Sequence, residues 1–415
     1  MQQKTVIHKV LPEGRDQWVV YLLCVSVFAG FSLSRAMISV GVIGLIAYGL
    51  LAFDIGQTLR TYLSSPAYYI NVIFLLTILL SGINSDDKHL WATFVQIKLP
   101  FLFLPVAFCA FQFFDSSFFH KLLIAFSIIM VLSAVGVMVN YALHYDEITR
   151  SVSYGGIIPT PFSHIRYTLL LVFAFFCLIR LYEQRAISGY QVLPLAVFLF
   201  VVIHILSSRS GWIALYSGLL LYAVVYIIRT RRYAIGSAIA LSTIVAPLAL
   251  YFLIPSFQNK INYMRWTAGE VAAGHIDNMS DAMRIASWRS GMEIIKRHPL
   301  TGVGAGDLLV ESKAISHELF PSIVNEDDRK MPHNEFIWIW AAAGILGLLA
   351  YLAAFIYPFV SSFRKGTWLM ALLFLIFFSA FLTEAPLEEQ IGSTFYLLFL
   401  LIFLTSIDHS PAIHD

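Results

Sequence analysis

Residues 121–142 read KLLIAFSIIMVLSAVGVMVNYA, 22 positions with a single charge, Lys121, at their edge. Roughly 20 consecutive apolar residues in helical form cross the hydrocarbon core of a bilayer. Inside lipid the backbone must bond within its own segment, so such a run can only be a helix. The same criterion picks out eleven further runs: 17–33, 36–53, 67–84, 90–112, 165–183, 191–206, 210–228, 234–254, 334–357, 367–383 and 391–407. The expected fold is therefore an all-α polytopic membrane protein with about twelve transmembrane helices. Composition agrees: of 415 residues, 59% are hydrophobic and 13% charged, against about 25% charged in soluble domains.

One long polar segment interrupts this pattern, between about Pro255 and His333. The chain thus divides into residues 1–254 with nine spans, a large loop 255–333 with short helices, and residues 334–415 with three more spans. The positive-inside rule orients it. The basic clusters Arg229-Thr230-Arg231-Arg232 and Arg364-Lys365 are cytoplasmic if twelve spans begin with the N-terminus inside. The long loop, Arg209, the stretch Tyr145–Arg166 and the acidic segment Thr383–Glu389 then share the outer face. The polar N-terminus Met1–Asp16 precedes a first span and not a removed signal peptide. A net charge of +2 gives no reason to expect a nucleic-acid partner. Cys24, Cys109 and Cys177 all lie in apolar stretches and match neither a disulfide framework nor a metal site.

Within the loop, Ile285, Trp288, Met292 and Ile295 recur at helical spacing. Ser280 or Asp281 is placed to cap that helix and Pro299 to stop it. The apolar stripe is expected against the bundle, with Arg284 one turn from Trp288. Residues 308–320 are expected to form a second short helix.

Several residues could carry chemistry. Arg209 sits in Ser207-Ser208-Arg209-Ser210-Gly211-Trp212 between two spans with almost no connection. It is either an interfacial arginine reaching for water or a phosphate ligand, for which a planar guanidinium and a helix N-terminus are suited. Arg284 and Arg289 lie on the loop helix, where a solvated face is the plain reading; Arg289 or Arg265 could stand in for Arg284. His333 precedes Asn334 at the start of a span. An imidazole there can take a proton from an attacking hydroxyl; Asn334 can orient it or simply cap the helix. Lys98 interrupts an apolar run and either snorkels or faces a polar cavity. Arg166 opens a span on the outer face and is another candidate anion ligand. Glu384, Glu388 and Glu389 read more readily as markers of an outward loop than as partners for arginines. The glycines of Thr301–Gly306 lack the strand–helix context of a dinucleotide site; they are expected to let backbone pack closely against the bundle or to line a groove.

Taken in order, these pieces resemble the O-antigen ligase/polymerase superfamily of bacterial membrane glycosyltransferases. The resemblance rests on Ser208-Arg209-Ser210-Gly211, on Arg284 with Trp288, and on His298-Pro299-Leu300-Thr301-Gly302-Val303-Gly304-Ala305-Gly306. It also rests on His333-Asn334-Glu335-Phe336 followed by Gly344 and Gly347. It covers about residues 200–350; the rest agrees in hydropathy and length.

The resemblance implies a GT-C-like fold in the inner membrane of a Gram-negative bacterium, with the active site on the periplasmic face. The donor would be a glycan linked to undecaprenyl diphosphate, and for a ligase the acceptor would be lipid A–core. By motif position Arg209 and Arg284 would bind the diphosphate and His333 would be the base. Arg166, Arg289, Asn334 and Lys98 are the further candidates for substrate binding. No metal, nucleotide or other cofactor is implied, and direct displacement would invert the anomeric carbon. The nearest alternatives are an O-antigen polymerase and a protein oligosaccharyltransferase of the same superfamily. A lipid-linked sugar transporter or flippase is the rival from another class; the sequence shows neither the internal repeat nor the matched broken helices expected of one.

Overall fold

The computed structural model describes residues 14–273, 280–362 and 368–409, and among them every regular element is a helix. The first seven are α1 (Arg15–Gly30), α2 (Arg35–Leu51), α3 (Ile55–Ser64), α4 (Pro66–Tyr69), α5 (Val72–Ser81), α6 (Lys88–Lys98) and α7 (Pro100–Phe108). Next come α8 (Ser116–Leu143), α9 (Tyr145–Ser153), α10 (His164–Glu183), α11 (Gly189–Leu206), α12 (Arg209–Thr230) and α13 (Tyr233–Leu253). The remainder are α14 (Pro255–Ala272), α15 (Ser280–Arg297), α16 (Leu308–Leu319), α17 (Glu335–Ser362), α18 (Trp368–Phe381) and α19 (Gln390–His409). The basic pair Arg364-Lys365 and the side chains of Ser280 and Asp281 lie outside the described residues.

Among the described residues, eight stretches are long and apolar enough to cross a membrane, or nine if a bent pair counts as one span. The expected twelve is thus not confirmed by this measure, which leaves out the shorter apolar helices. The second run turns by 109° between α2 and α3, where Asp54 caps the new helix by accepting from Gln57 N at 2.8 Å. α1 and α18 have 16 and 14 residues, short of the roughly 20 that span a bilayer. The run 90–112 is divided into α6 and α7 after Lys98, with Pro100 opening α7 at a position where its missing N–H costs least, and Lys88–Phe108 still counts as one of the eight stretches.

The polar segment 255–333 is more helical than its sequence suggests. α14 begins at Pro255 and sets Phe257 against Trp212, with ring centroids 4.5 Å apart. Its Asn259 donates to Ser153 of α9 at 2.9 Å. Phe257, Ile261 and Met264 recur at helical spacing and would have signalled the helix. α15 and α16 form where expected, yet the buried side of α15 is not the Ile285/Met292 stripe. Ala282, Ala286, Ser287, Ser290, Gly291, Ile294 and Ile295 are buried, while Met292 is exposed. Small residues let the backbones approach closely: a Cβ on Gly291 would meet Ile337 at 2.5 Å and Pro332 at 2.6 Å.

The core is aromatic and centred on α10 and α19. Phe28, Phe126, Phe173, Phe395 and Phe399 interlock there, Phe173 and Phe399 at 4.6 Å. Aromatic pairs add about 0.5–1.5 kcal/mol each beyond area burial. By contrast, α13 is apolar with only Gly236 buried, as suits a helix whose sides face lipid.

α17 is broken at Gly344, whose φ of 70° and ψ of −177° leave the helical region. The loop 299–304 replaces the lost helical bonds. Val303 N and Gly304 N donate to the carbonyls of Ala341 and Ala342, each at 2.9 Å, and Ile345 N donates to Pro299 O at 3.1 Å. Unpaired backbone at membrane depth is costly, so a break survives only where protein satisfies it. Glycine is required on both sides: Gly302 and Gly304 also have positive φ, and a Cβ on Gly344 would collide with the Leu300 carbonyl. The glycine run therefore packs backbone on backbone. This break in α17 is filled by the chain's own loop.

Candidate active site

Four helix ends and one acidic turn converge beside α15. Asn334 starts α17 by accepting from Ile337 N at 3.0 Å, and its amide donates to Leu382 O at 3.0 Å. Both ends of this side chain are engaged, so Asn334 is the helix cap and not the group that orients His333. His333 is instead held by α15: its N–H donates to Ser287 Oγ at 3.2 Å, and its carbonyl accepts from Trp288 Nε1 at 2.6 Å.

The orienting group is Glu384. Its Oε2 lies 3.3 Å from His333 Nδ1, and its Oε1 lies 3.1 Å from Arg284 Nη2. An ionised carboxylate only accepts, so Nδ1 carries the proton and Nε2 is left as the acceptor. Burial by itself would push the Glu384 carboxyl up. The bond from His333, the charge the ring can carry, Arg284 and Arg166 outweigh it and hold the carboxyl down at about 2. Glu384 is thus a carboxylate at neutral pH.

The start of α12 reaches the same turn, where the Ser210 and Thr383 hydroxyls bond at 2.8 Å. Ser207, in the left-handed conformation with φ 55°, makes the tight reversal that presents Ser208 and Arg209. The charges of Lys260, Arg284, Glu384 and Arg209 all act on His164 at the start of α10. Three cations therefore share this corner with one carboxylate, a balance suited to a polyanionic group. Lys260 and His164 were not singled out from sequence; both sit on elements whose role only the tertiary fold reveals.

The remaining sequence candidates have other partners. Arg166 is buried and pairs with Glu389 at 2.7 Å, which Arg35 approaches at 3.8 Å. Lys98 is fully enclosed, 2.8 Å from Glu388; it neither snorkels nor faces a cavity. Arg289 is exposed, five positions and roughly 140° around α15 from Arg284. Arg265 is also exposed, over the Tyr251 ring at 6.0 Å. The acidic turn corrects the sequence reading most directly: Glu384, Glu388 and Glu389 all hold cations and do not merely mark an outward loop.

Helical fold and site together define a multi-pass membrane protein with a carboxylate-oriented histidine in a cation-rich corner of its bundle. Residues 194–352 match the family model for O-antigen ligase, so that this part of the chain is similar to that family. The match spans α11 to the first part of α17 and so includes Arg209, Arg284 and His333, but not Glu384. No curated protein matches the chain.

Proposed function

We propose that the chain transfers a glycan from undecaprenyl diphosphate to a hydroxyl of lipid A–core at the periplasmic face of the inner membrane. The observation that carries this reading is that Glu384 bonds both His333 and Arg284. One carboxylate thereby fixes a proton acceptor next to a cation. Nε2 of His333 takes the proton of the acceptor hydroxyl as its oxygen attacks the anomeric carbon. The bond from that carbon to the diphosphate oxygen breaks, and its electron pair leaves with the phosphate. Arg209 and Arg284, aided by Lys260, stabilise the charge that develops there. Donors already aimed at such charge do not have to reorganise during the reaction. Attack opposite the leaving group inverts the anomeric carbon.

Complementation of a Gram-negative strain that lacks its ligase but makes matching core and O-antigen tests this reading. The native chain is expected to restore the lipopolysaccharide ladder on a gel, and His333→Ala, Arg209→Ala and Arg284→Ala are expected to lose it at normal membrane levels. Core-only lipopolysaccharide with the native chain at normal membrane levels would overturn the ligase reading; restored glycan chain length in a host that lacks its polymerase would instead identify a polymerase.

A further inference from the structure

Directly behind the His333–Glu384 pair lies a second polar cluster that the proposed chemistry does not use. Lys98 donates to Leu387 O at 2.6 Å and to Glu388 Oε1 at 2.8 Å. Glu335 accepts from Leu387 N at 3.2 Å and from the Tyr351 hydroxyl. The Glu335 N–H donates to Glu384 O at 3.1 Å. The cluster therefore grips the backbone of the turn that carries Glu384 at residues 384 and 387. Lys98, Glu335 and Tyr351 are 0% exposed and Glu388 is 6% exposed.

The charges in this enclosure do not balance if every group ionises. Two carboxyls, Glu335 and Glu388, face one ammonium, Lys98; the π-face of Phe101 lies 5.8 Å from that ammonium, and the other titratable neighbours, Tyr351 and Tyr396, are neutral phenols. Both carboxyls meet at the same residue: Glu335 Oε2 accepts from Leu387 N at 3.2 Å, Glu388 Oε1 holds the ammonium that bonds Leu387 O, and Glu388 Oε2 is buried without a hydrogen-bond partner. Two like charges at such range in a dry site do not both ionise; one proton is retained.

We propose that Lys98, Glu335 and Glu388 form one electroneutral anchor, with a single proton shared by the carboxyls, and that it positions Glu384 against His333. These are positioning residues. The kinetic part rests on the glycosyltransferase reading; the proton count and the placement of Glu384 do not.

The test uses the purified full chain in lipid nanodiscs at pH 7. Infrared spectroscopy is expected to show the carbonyl stretch of one buried protonated carboxyl in the native protein and in His333→Ala. The band is lost in Glu335→Gln and in Glu388→Gln, where the surviving carboxylate is balanced by Lys98. It roughly doubles in Lys98→Met, where both carboxyls must be neutral. Placement is read from the ring 15N signal of His333, which reports the Nδ1 bond whether or not any glycan is transferred. It is unchanged in Glu335→Gln and shifted in Glu335→Ala, which loses the acceptor for Leu387 N. In transfer assays Glu335→Gln retains kcat within about threefold, and Glu335→Ala loses roughly ten- to a hundredfold in kcat with KM unchanged, as misplacement of a base requires. A native protein without the band, or a Gln variant as impaired as Ala, overturns the anchor. Correct bands and 15N shifts with no transfer by the native chain would overturn the glycosyltransferase reading and leave the anchor standing.

Discussion

Glu384 Oε2 and His333 Nδ1 stand 3.3 Å apart although 51 residues separate them in the chain. The helices that bring them together, α17 and α18, form a hairpin, and Leu382 O accepting from Asn334 closes it at its end. A carboxylate so placed fixes the tautomer and orientation of its imidazole. Glu384→Gln keeps the shape and removes the charge. Its kcat is expected to fall by about 10²-fold or more, with membrane levels unchanged. Steady-state transfer kinetics check this; a loss under threefold would contradict it.

The same group predicts an acid dependence of stability. Its carboxyl is held at about 2 in the folded protein, below its ordinary value of 4.5. A depressed carboxyl stabilises the fold fully above the ordinary value, and that contribution is lost as pH falls through the folded one. The difference in Tm between native protein and Glu384→Gln in detergent is therefore expected to shrink between about pH 4.5 and pH 2. A difference independent of pH over that window would show that the ion pairs do not stabilise the fold.

Trp288→Phe deletes the bond from the indole to the His333 carbonyl and little else. A neutral hydrogen bond contributes only about 1 kcal/mol to folding, so the protein is expected to fold. Its kcat is expected to fall about tenfold with KM nearly constant, because the base is displaced while the binding surface is intact. A change confined to KM would place Trp288 in substrate binding instead.

The arginines divide sharply. Arg284→Lys is expected to lose most activity, since an ammonium does not reproduce the planar fork of a guanidinium. Arg289→Ala, on the exposed side of the same helix, is expected to remain within about twofold, as isolated surface substitutions generally do. A ladder assay with both variants at matched levels separates them; equal losses would mean that α15 presents a different face to the substrate.

Gly344→Ala puts a Cβ into the Leu300 carbonyl at a positive φ. It is expected to cost several kcal/mol, because strain and lost backbone bonds add, and to lower Tm or abolish expression. Gly136→Ala, on α8 with nothing within 4 Å of the new Cβ, is the matched control and is expected to be neutral or slightly stabilising. Fluorescence thermal melts in detergent compare the two.

The membrane-spanning character was legible because apolar runs such as 121–142 state it directly, and the motifs with Arg209, Arg284 and His333 fall within the residues that match the family model. Span number was not, because hydropathy does not register the turn between α2 and α3 or where short helices such as α1 and α18 end. Asn334 and Lys98 were misplaced as substrate ligands because capping and burial satisfy them within the protein. Glu384 was passed over because an acidic turn reads alike whether it faces water or holds His333 and Arg284. The buried side of α15 was misjudged because close helix packing selects Ala282, Ala286 and Ser290 over larger apolar residues, the reverse of the usual hydrophobic stripe.

In the proposed reaction His333, set by Glu384, removes the acceptor's proton during glycan transfer. The most direct measurement is single-turnover transfer by purified protein from an undecaprenyl-diphosphate-linked glycan to lipid A–core, native against His333→Ala, with donor binding measured in parallel. The account predicts undiminished donor binding and a rate at least about 10²-fold lower in His333→Ala. Transfer at the native rate by that variant would contradict it.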